Sequence, residues 1–280
     1  MDLFKRLLVP ISSEFPFEQM VRRAGTLTRA FNSAVMVMYI IETKTIKTMR
    51  ELAETPLAEQ QFKEMEQKSV SPSSTDIAKQ IISERVKPVL PNCEVTIAEG
   101  EFSEEVNRVA ETWQATCVVT GYESYCTLRY RLLENTNLSL WVEQRPGTNP
   151  IVLGVCSNLA QNKRVPGLTI ELAATLNATP HLLYAVDIEE PVEVDEQGEK
   201  RQSTTVALTE KGQALLRSYR DRTQGHFSVG VLEDDIIRYT TRLNPYVTVI
   251  GREIKRKKFL CREMKRDFVA RMEHSLLFLN

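Results

Sequence analysis

The sequence has no apolar run that approaches the roughly 20 residues a membrane-spanning helix requires. Its opening residues carry an acid, Asp2, and pass directly into an apolar strand, which does not match a signal peptide. The five cysteines are odd in number and include no Cys-x-x-Cys pair, a pattern typical of reduced thiols. We therefore expect a cytoplasmic protein that does not cross a membrane.

The chain also lacks an excess of charge of either sign. Lysine and arginine total 36, aspartate and glutamate total 37, and the formal net charge is −1. Such a balance gives no general attraction to nucleic acid or to acidic membranes. We expect neither among its partners.

Signatures of common catalytic and metal sites are absent as well. The sequence contains no Gly-x-Ser-x-Gly, no Walker loop and no His-Glu-x-x-His. The histidines His181, His226 and His274 are isolated in sequence and lack the spacing of metal ligands. We predict no catalytic residue, no metal site and a structural role for the histidines.

What the sequence does contain is one pattern that occurs twice. Each copy reads as a strand end, a Gly turn, an amphipathic helix that begins with acids, a buried strand and a closing Gly. The copies span 97–121 and 227–251, and the spacing is constant, since 230 − 100 = 130 and 251 − 121 = 130 for the paired glycines. Two copies of a strand-helix-strand unit predict two copies of a domain.

Strands that alternate with helices predict a parallel sheet covered by helices on both faces. We predict an α/β protein of two tandem Rossmann-like domains, 1–146 and 150–280, each a mostly five-stranded parallel sheet flanked by helices. The apolar strand 150–155 could close the first domain or open the second. Leu153 follows Leu8 by 145 positions (153 − 8 = 145) and favours the second, which leaves the first sheet a strand short unless 138–142 supplies it.

Several segments resemble the universal stress protein family. Residues 7–12 resemble its opening strand, 24–32 its first helix and 35–42 its second strand, while 100–111 with 117–121 are the closest match. The resemblance implies a five-stranded parallel sheet of the adenine nucleotide alpha hydrolase-like type. Members usually pair, and tandem chains form that pair within one molecule, so the resemblance implies intramolecular domain pairing.

Nucleotide-binding members of that family place an Asp after the first strand. They follow the fourth strand with Gly-x-x-Gly, nine residues, Gly and Ser/Thr, and these glycines let backbone amides close on phosphate oxygens. Here the Asp position is Ser12 in the first half and Ser157 in the second. Gly121 keeps the first glycine, but Ser124 replaces the next and Glu134-Asn135 replace the last pair.

The second half departs from the motif in the same way. Gly251 is kept, Ile254 replaces the next glycine and Met264-Lys265 replace the last pair. Bulky or acidic side chains are unfavourable where a backbone must approach phosphate, so we predict that classical ATP binding is impaired in both halves. The candidate ligand-binding residues are Ser12, Gly121, Ser124, Ser157, Gly251, Arg252 and Lys255.

A dense basic cluster follows Gly251. Its members are Arg252, Lys255, Arg256, Lys257, Lys258, Arg262, Lys265 and Arg266. One interpretation is an anion site that uses side-chain charge in place of loop glycines. The other is a solvated face at the start of the last helix, which is what charge runs usually are.

Two hypotheses about function remain. The first is a non-enzymatic, cytosolic stress-response protein that regulates or scaffolds a protein partner, with homodimerisation of the tandem left open. The alternative is a small-molecule sensor that binds ATP, AMP or another phosphate ligand, mainly through Gly251 and the basic cluster. Slow nucleotide hydrolysis is disfavoured because the phosphate loop is absent.

Overall fold

The computed structural model describes residues 1–12, 16–42, 74–121, 136, 138–144, 147–160, 163–194, 199–251, 271–272 and 274–280. These residues form two compact units. One extends over residues 2–121, and the other over the described residues from 138 to 280.

The first unit alternates strands with helices. Its elements are β1 (Arg6–Ile11), α1 (Glu18–Phe31), β2 (Ala34–Glu42), α2 (Ser74–Ile81), β3 (Glu94–Gly100), α3 (Phe102–Thr112) and β4 (Cys117–Gly121). A short 3-10 helix, Asp2–Phe4, precedes β1, and a π-helical turn, Ile82–Val86, follows α2. The four strands are parallel and lie in the order β4-β1-β2-β3.

The core of this unit is built on β1 and β4, whose side chains are buried on both faces of the sheet. Leu7, Leu8 and Val9 are consecutive and all 0% exposed, as are Val118 and Val119. Burial of successive residues means that both faces are covered, as expected for a parallel sheet. α1 ends at Phe31, and the next residue, Asn32, caps it in a left-handed conformation and donates its N–H to the Thr28 carbonyl.

The second unit has more elements. They are β5 (Ser139–Glu143), β6 (Asn149–Ser157), α4 (Arg164–Thr175), β7 (Thr179–Asp187), β8 (Val192–Val194), β9 (Lys200–Gln202), α5 (Thr205–Tyr219), β10 (Gln224–Gly230), α6 (Leu232–Leu243), β11 (Pro245–Gly251) and β12 (Leu276–Leu279). The main sheet has the order β10-β7-β6-β11-β12-β5. All neighbours in it are parallel except β12 and β5, which are antiparallel.

The two units share one strand order. Numbered along the chain within each unit, the strands lie as third, second, first and fourth, which is β3-β2-β1-β4 in one unit and β10-β7-β6-β11 in the other. The repeated pattern occupies the same place in both. Gly100 and Gly230 end the third strands, and Gly121 and Gly251 end the fourth strands.

The two contested strands, β5 and β6, both lie in the second unit. β6 stands between β7 and β11, in the position of an opening strand. β5 pairs with β12, with Trp141 opposite Leu277. The Trp141 indole is 0% exposed, and its Nε1 donates to Glu143 Oε2 at 2.7 Å. Glu143 Oε2 also accepts from Ser275 Oγ at 2.9 Å, which joins the two strands through side chains as well.

Candidate functional site

The carboxyl ends of β1 and β4 meet where the strand order of the first unit reverses. β1 and β4 are neighbours, with Leu8 opposite Val118, while β2 and β3 lie on the other side of β1. Such a reversal is where ligands bind in open α/β sheets. Ser12 follows β1 directly and is 1% exposed, and Gly121 is the buried last residue of β4. The structure therefore places these two candidate residues at the same corner.

The second unit repeats this arrangement with Ser157 and Gly251. Ser157 ends β6 and Gly251 ends β11, and these neighbouring strands are in register through Val155 and Ile250. The remaining candidates, Ser124, Arg252 and Lys255, lie outside the described residues. Glu134 and the rest of the basic cluster do so too.

The hydroxyl of Ser157 is used within its own turn. Ser157 is 0% exposed, and its Oγ accepts from the backbone N–H of Leu159 at 2.9 Å. Serine in such a turn takes the place of a backbone acceptor and fixes the chain direction. Ser157 stands at the position where nucleotide-binding members of the family carry an Asp. Here its side chain stabilises the turn of its own backbone.

Asn158, which the sequence analysis did not single out, ties the end of β6 to the turn after β7. Its side chain is buried, and Oδ1 accepts from the backbone N–H of Asp187 at 2.7 Å. Nδ2 donates to the carbonyls of Val192 at 2.8 Å and Glu190 at 3.3 Å. The only sequence signal is that Asn after Ser is a frequent turn residue, and this does not reveal its partners.

Asp187 closes the N-terminus of α6. It is 0% exposed, and its Oδ2 accepts from the backbone N–H of Leu232, the first residue of that helix, at 3.0 Å. Its Oδ1 accepts from the backbone N–H of Glu190 at 2.8 Å. The N–H groups and the positive dipole end of a helix are what an anionic ligand would use. Here an internal carboxylate occupies part of that position.

The first turn of α6 adds further negative charge. Glu233 is half-buried, and the pKa of its carboxyl is raised to about 7, chiefly by burial. Charge repulsion from Asp234, Glu189 and Asp187 contributes to this rise, while Arg271 opposes it. Glu233 Oε1 is buried and has no hydrogen-bond partner among the described residues. This end of the second sheet is thus acidic.

The acid pairs at the starts of α3 and α6 have structural partners. A Cβ on Gly100 would lie 2.8 Å from Glu105 Cγ, and a Cβ on Gly230 would lie 3.0 Å from Asp235 Oδ2. Each acid also bonds an arginine three residues later, Arg108 at 2.6 Å and Arg238 at 2.5 Å. The repeated Gly and the acid five positions later are therefore one packing motif.

The histidines His181 and His226 are neighbours in space. They lie on the paired strands β10 and β7, and His181 Nδ1 is 2.9 Å from His226 Nε2. Burial and, to a smaller extent, the nearby His226 together lower the pKa of His181 to about 4. Burial also lowers the pKa of His226, assisted by the charge of Arg242. The pair is neutral near pH 7, so one ring can donate to the other.

Within the described ranges, no group of three or more His, Cys, Asp or Glu residues is arranged to hold a metal ion. Of the helices that the structure describes, none is long and apolar enough to cross a membrane.

Comparison with known proteins relates the first half of the chain to a family. Residues 3–137 match the model of the universal stress protein family. No curated protein sequence matches the chain.

Three solved structures are similar to nearly the whole chain. A protein from Pseudomonas aeruginosa UCBPP-PA14, named provisionally as a universal stress protein, is 12% identical with a TM-score of 0.66, over 99% of this chain and 94% of its own. A functionally unknown protein from Pseudomonas aeruginosa PAO1 is 14% identical with a TM-score of 0.62, over 99% and 93%. A universal stress protein from Archaeoglobus fulgidus DSM 4304 is 10% identical with a TM-score of 0.61, over 98% and 96%. At these identities the likeness shows the fold, and the expected Rossmann-like α/β class is confirmed.

Proposed function

We propose that this chain, whose residues 3–137 match the universal stress protein family, belongs to that family, and that it is a cytoplasmic regulator that binds a protein partner and catalyses no reaction. Family membership supports a stress-response protein of the universal stress type. We further propose that ordinary ATP binding is impaired and that the protein regulates its partner through protein contacts.

A tandem of two such domains, predicted at 1–146 and 150–280, is part of the proposal. Strand β5 (Ser139–Glu143), which the first of these ranges includes, lies in the second unit. The tandem is supported by the shared strand order of the two units and by the matching places of the glycines that end β3, β10, β4 and β11. Pairing of the two domains within the chain follows from the family resemblance. A homodimer of the tandem would add a second level of pairing, and light scattering during gel filtration would detect its doubled mass.

The observation that carries impaired nucleotide binding is the filled, acidic N-terminus of α6. Asp187 accepts the N–H of Leu232, and Glu233 lies beside it among other acids. Two like unit charges 5 Å apart repel by about 3 kcal/mol at an effective dielectric constant of about 20. A triphosphate brought to the N-terminus of α6 would meet that repulsion and would find the backbone donor of Leu232 already engaged.

Isothermal titration of the full chain with Mg-ATP, ADP and AMP tests the proposal. We expect each nucleotide to bind with a Kd weaker than about 1 mM, equivalent to less than about 4 kcal/mol of binding free energy. Binding of any of the three with a Kd well below 1 mM would contradict impaired nucleotide binding.

In that event the chain would be a phosphate-ligand sensor, and the second half would be the place to locate the site. Arg252→Ala and Lys255→Ala should then weaken binding about tenfold each, as expected for charge-assisted contacts. The matched control is Arg220→Ala, since Arg220 is an exposed arginine after α5, far along the chain from Gly251. This variant should leave the Kd unchanged.

A further inference from the structure

A cavity of about 340 Å³ opens at the end of the first sheet opposite to Ser12 and Gly121. It lies between the C-terminal half of α1, the amino-terminal ends of β2 and β3, and the turn that precedes β3. Its lining residues are Gly25, Thr28, Arg29, Ser33, Ala34, Val35, Val89, Leu90, Pro91, Asn92, Cys93 and Glu94. The volume falls within the roughly 300–1,000 Å³ range of small-molecule pockets.

Gly25 keeps this space open. A Cβ at residue 25 would lie 3.6 Å from Leu90 Cδ2, 3.7 Å from Val89 Cγ1 and 3.7 Å from Arg29 Nη1. These are ordinary van der Waals distances, so packing would accept an alanine here. Glycine in a helix interior is less stable than alanine, and α1 extends from Glu18 to Phe31 around this residue. The side of the cavity that Gly25 forms is therefore smaller than the packing requires. Glycine at this position also makes α1 less stable than alanine would.

The cavity offers hydrogen-bond donors that the protein does not use. The Ser33 hydroxyl belongs to a buried residue, 9% exposed, and has no hydrogen-bond partner among the described residues. Arg29 turns Nη1 back toward Gly25, and its guanidinium forms no ion pair with any described carboxylate. A buried hydroxyl without a partner is uncommon in native proteins and indicates a group that is still to be bound.

Several acceptors around the cavity are already engaged. Glu94 Oε1 accepts from Trp113 Nε1 at 3.2 Å, and the Cys93 carbonyl accepts from Lys87 Nζ at 2.8 Å. The Thr28 carbonyl, near the end of α1, accepts from the backbone N–H groups of Asn32 and Ser33. The partial negative charge of this helix end, about half an elementary charge, is smaller than the full positive charge of Arg29. The carboxylate of Glu94 also lines the cavity. Ser33 and Arg29 are the donors that a ligand can still use.

We propose that this cavity binds a small organic monocarboxylate with an apolar body. The carboxylate is held by Arg29, whose planar fork matches two carboxylate oxygens, and by the hydroxyl of Ser33. The apolar part of the ligand packs against Val35, Val89 and Leu90. The site is separate from the corner formed by Ser12 and Gly121, because it lies at the amino-terminal ends of β2 and β3.

The test uses the full chain and two probe acids, benzoate and 4-methylpentanoate, followed by calorimetry and saturation-transfer NMR. The neutral amides of the same acids and inorganic phosphate are titrated in parallel. We expect the acids to bind with a Kd on the order of 0.1–1 mM, and the amides and phosphate at least about tenfold more weakly. Failure of both acids to bind, or equal binding of the amides or phosphate, would overturn the proposal.

Variants on α1 locate the site. Arg29→Gln should weaken binding of the acids about tenfold, and Gly25→Leu should abolish it by filling the cavity. The matched control is Arg22→Gln, since Arg22 is an exposed arginine two turns earlier on the same helix and does not line the cavity. Equal effects of Arg29→Gln and Arg22→Gln would place any binding elsewhere and refute the site. Arg29 is exposed, so this pair decides the question even if Gly25→Leu fails to fold.

Discussion

Glu233 illustrates, at the scale of one residue, how burial and neighbouring charge act together. Its pKa rises from the ordinary 4.5 to about 7, first because of burial and then because of Asp234 and the other nearby acids. Between pH 4.5 and about pH 7, the Glu233 carboxyl keeps its proton in the folded protein and has lost it in the unfolded chain. The contribution of this carboxyl to stability is therefore present below pH 4.5 and is lost as the pH rises through 7.

The variant Glu233→Gln should remove this pH dependence. We expect it to be more stable than the wild type at pH 8 by on the order of 1 kcal/mol, a value reduced for the partial exposure of the group. At pH 4.5 the two proteins should differ little. Urea unfolding at both pH values measures the effect. Glu210→Gln is the control, because Glu210 is an exposed acid on α5, and an equal gain in that variant would contradict a specific role for Glu233.

The histidine pair shows the limit of sequence reasoning at the same scale. His181 and His226 are 45 positions apart in the chain, yet their ring nitrogens are 2.9 Å apart. They are isolated in the sequence and adjacent in the structure. Their proximity follows from the pairing of β7 with β10, which no local pattern records.

At the scale of the element, helix starts were the most predictable feature. The acids at the starts of α3 and α6 indicated the helices, because carboxylates favour the positive dipole end. The cap of α3 is nevertheless Glu101, whose side chain accepts from the Glu104 N–H at 2.9 Å. At the start of α6 no neighbouring side chain caps the helix. Asp187, which lies much earlier in the chain, accepts the first backbone N–H instead.

Removal of this distant cap should destabilise the second unit. Asp187→Ala leaves the buried N–H group of Leu232 and the partly buried N–H group of Glu190 without their acceptor, and we expect a loss of about 2–4 kcal/mol in the free energy of unfolding. Hydrogen exchange should accelerate at the start of α6 and in the turn after β7. Asp234→Asn, at an exposed acid of the same helical turn, serves as control. A loss of similar size in both variants would show that general charge, not the buried cap, stabilises this helix start.

At the scale of the whole molecule, each described unit contains its own set of parallel strands and its own buried strand residues. Leu8 in β1 and Leu153 in β6 occupy equivalent strands, and both are 0% exposed. β1 pairs with β2 and β4, and β6 pairs with β7 and β11, so each leucine lies in a central strand of its unit.

Substitution of these two leucines tests whether the units have separate cores. Leu8→Ala and Leu153→Ala should each lower the free energy of unfolding by about 2–4 kcal/mol, since each creates a cavity in a packed core. Hydrogen exchange followed by mass spectrometry should show lost protection chiefly in β1 and β2 for the first variant. For the second variant the loss should be in β6 and β7. Equal loss in both units from either variant would contradict two separate cores.

The sequence by itself determined the fold class and the positions of most elements, because apolar runs, helical spacing and glycine turns are local properties of the chain. The repeat of Gly100 and Gly121 at Gly230 and Gly251 also marked the ends of four strands correctly. Only the tertiary structure decided which polar groups meet. Asp187 reaches α6, His181 reaches His226, and β5 pairs with β12. These contacts join residues distant in sequence, and they depend on strand order and the packing of buried side chains.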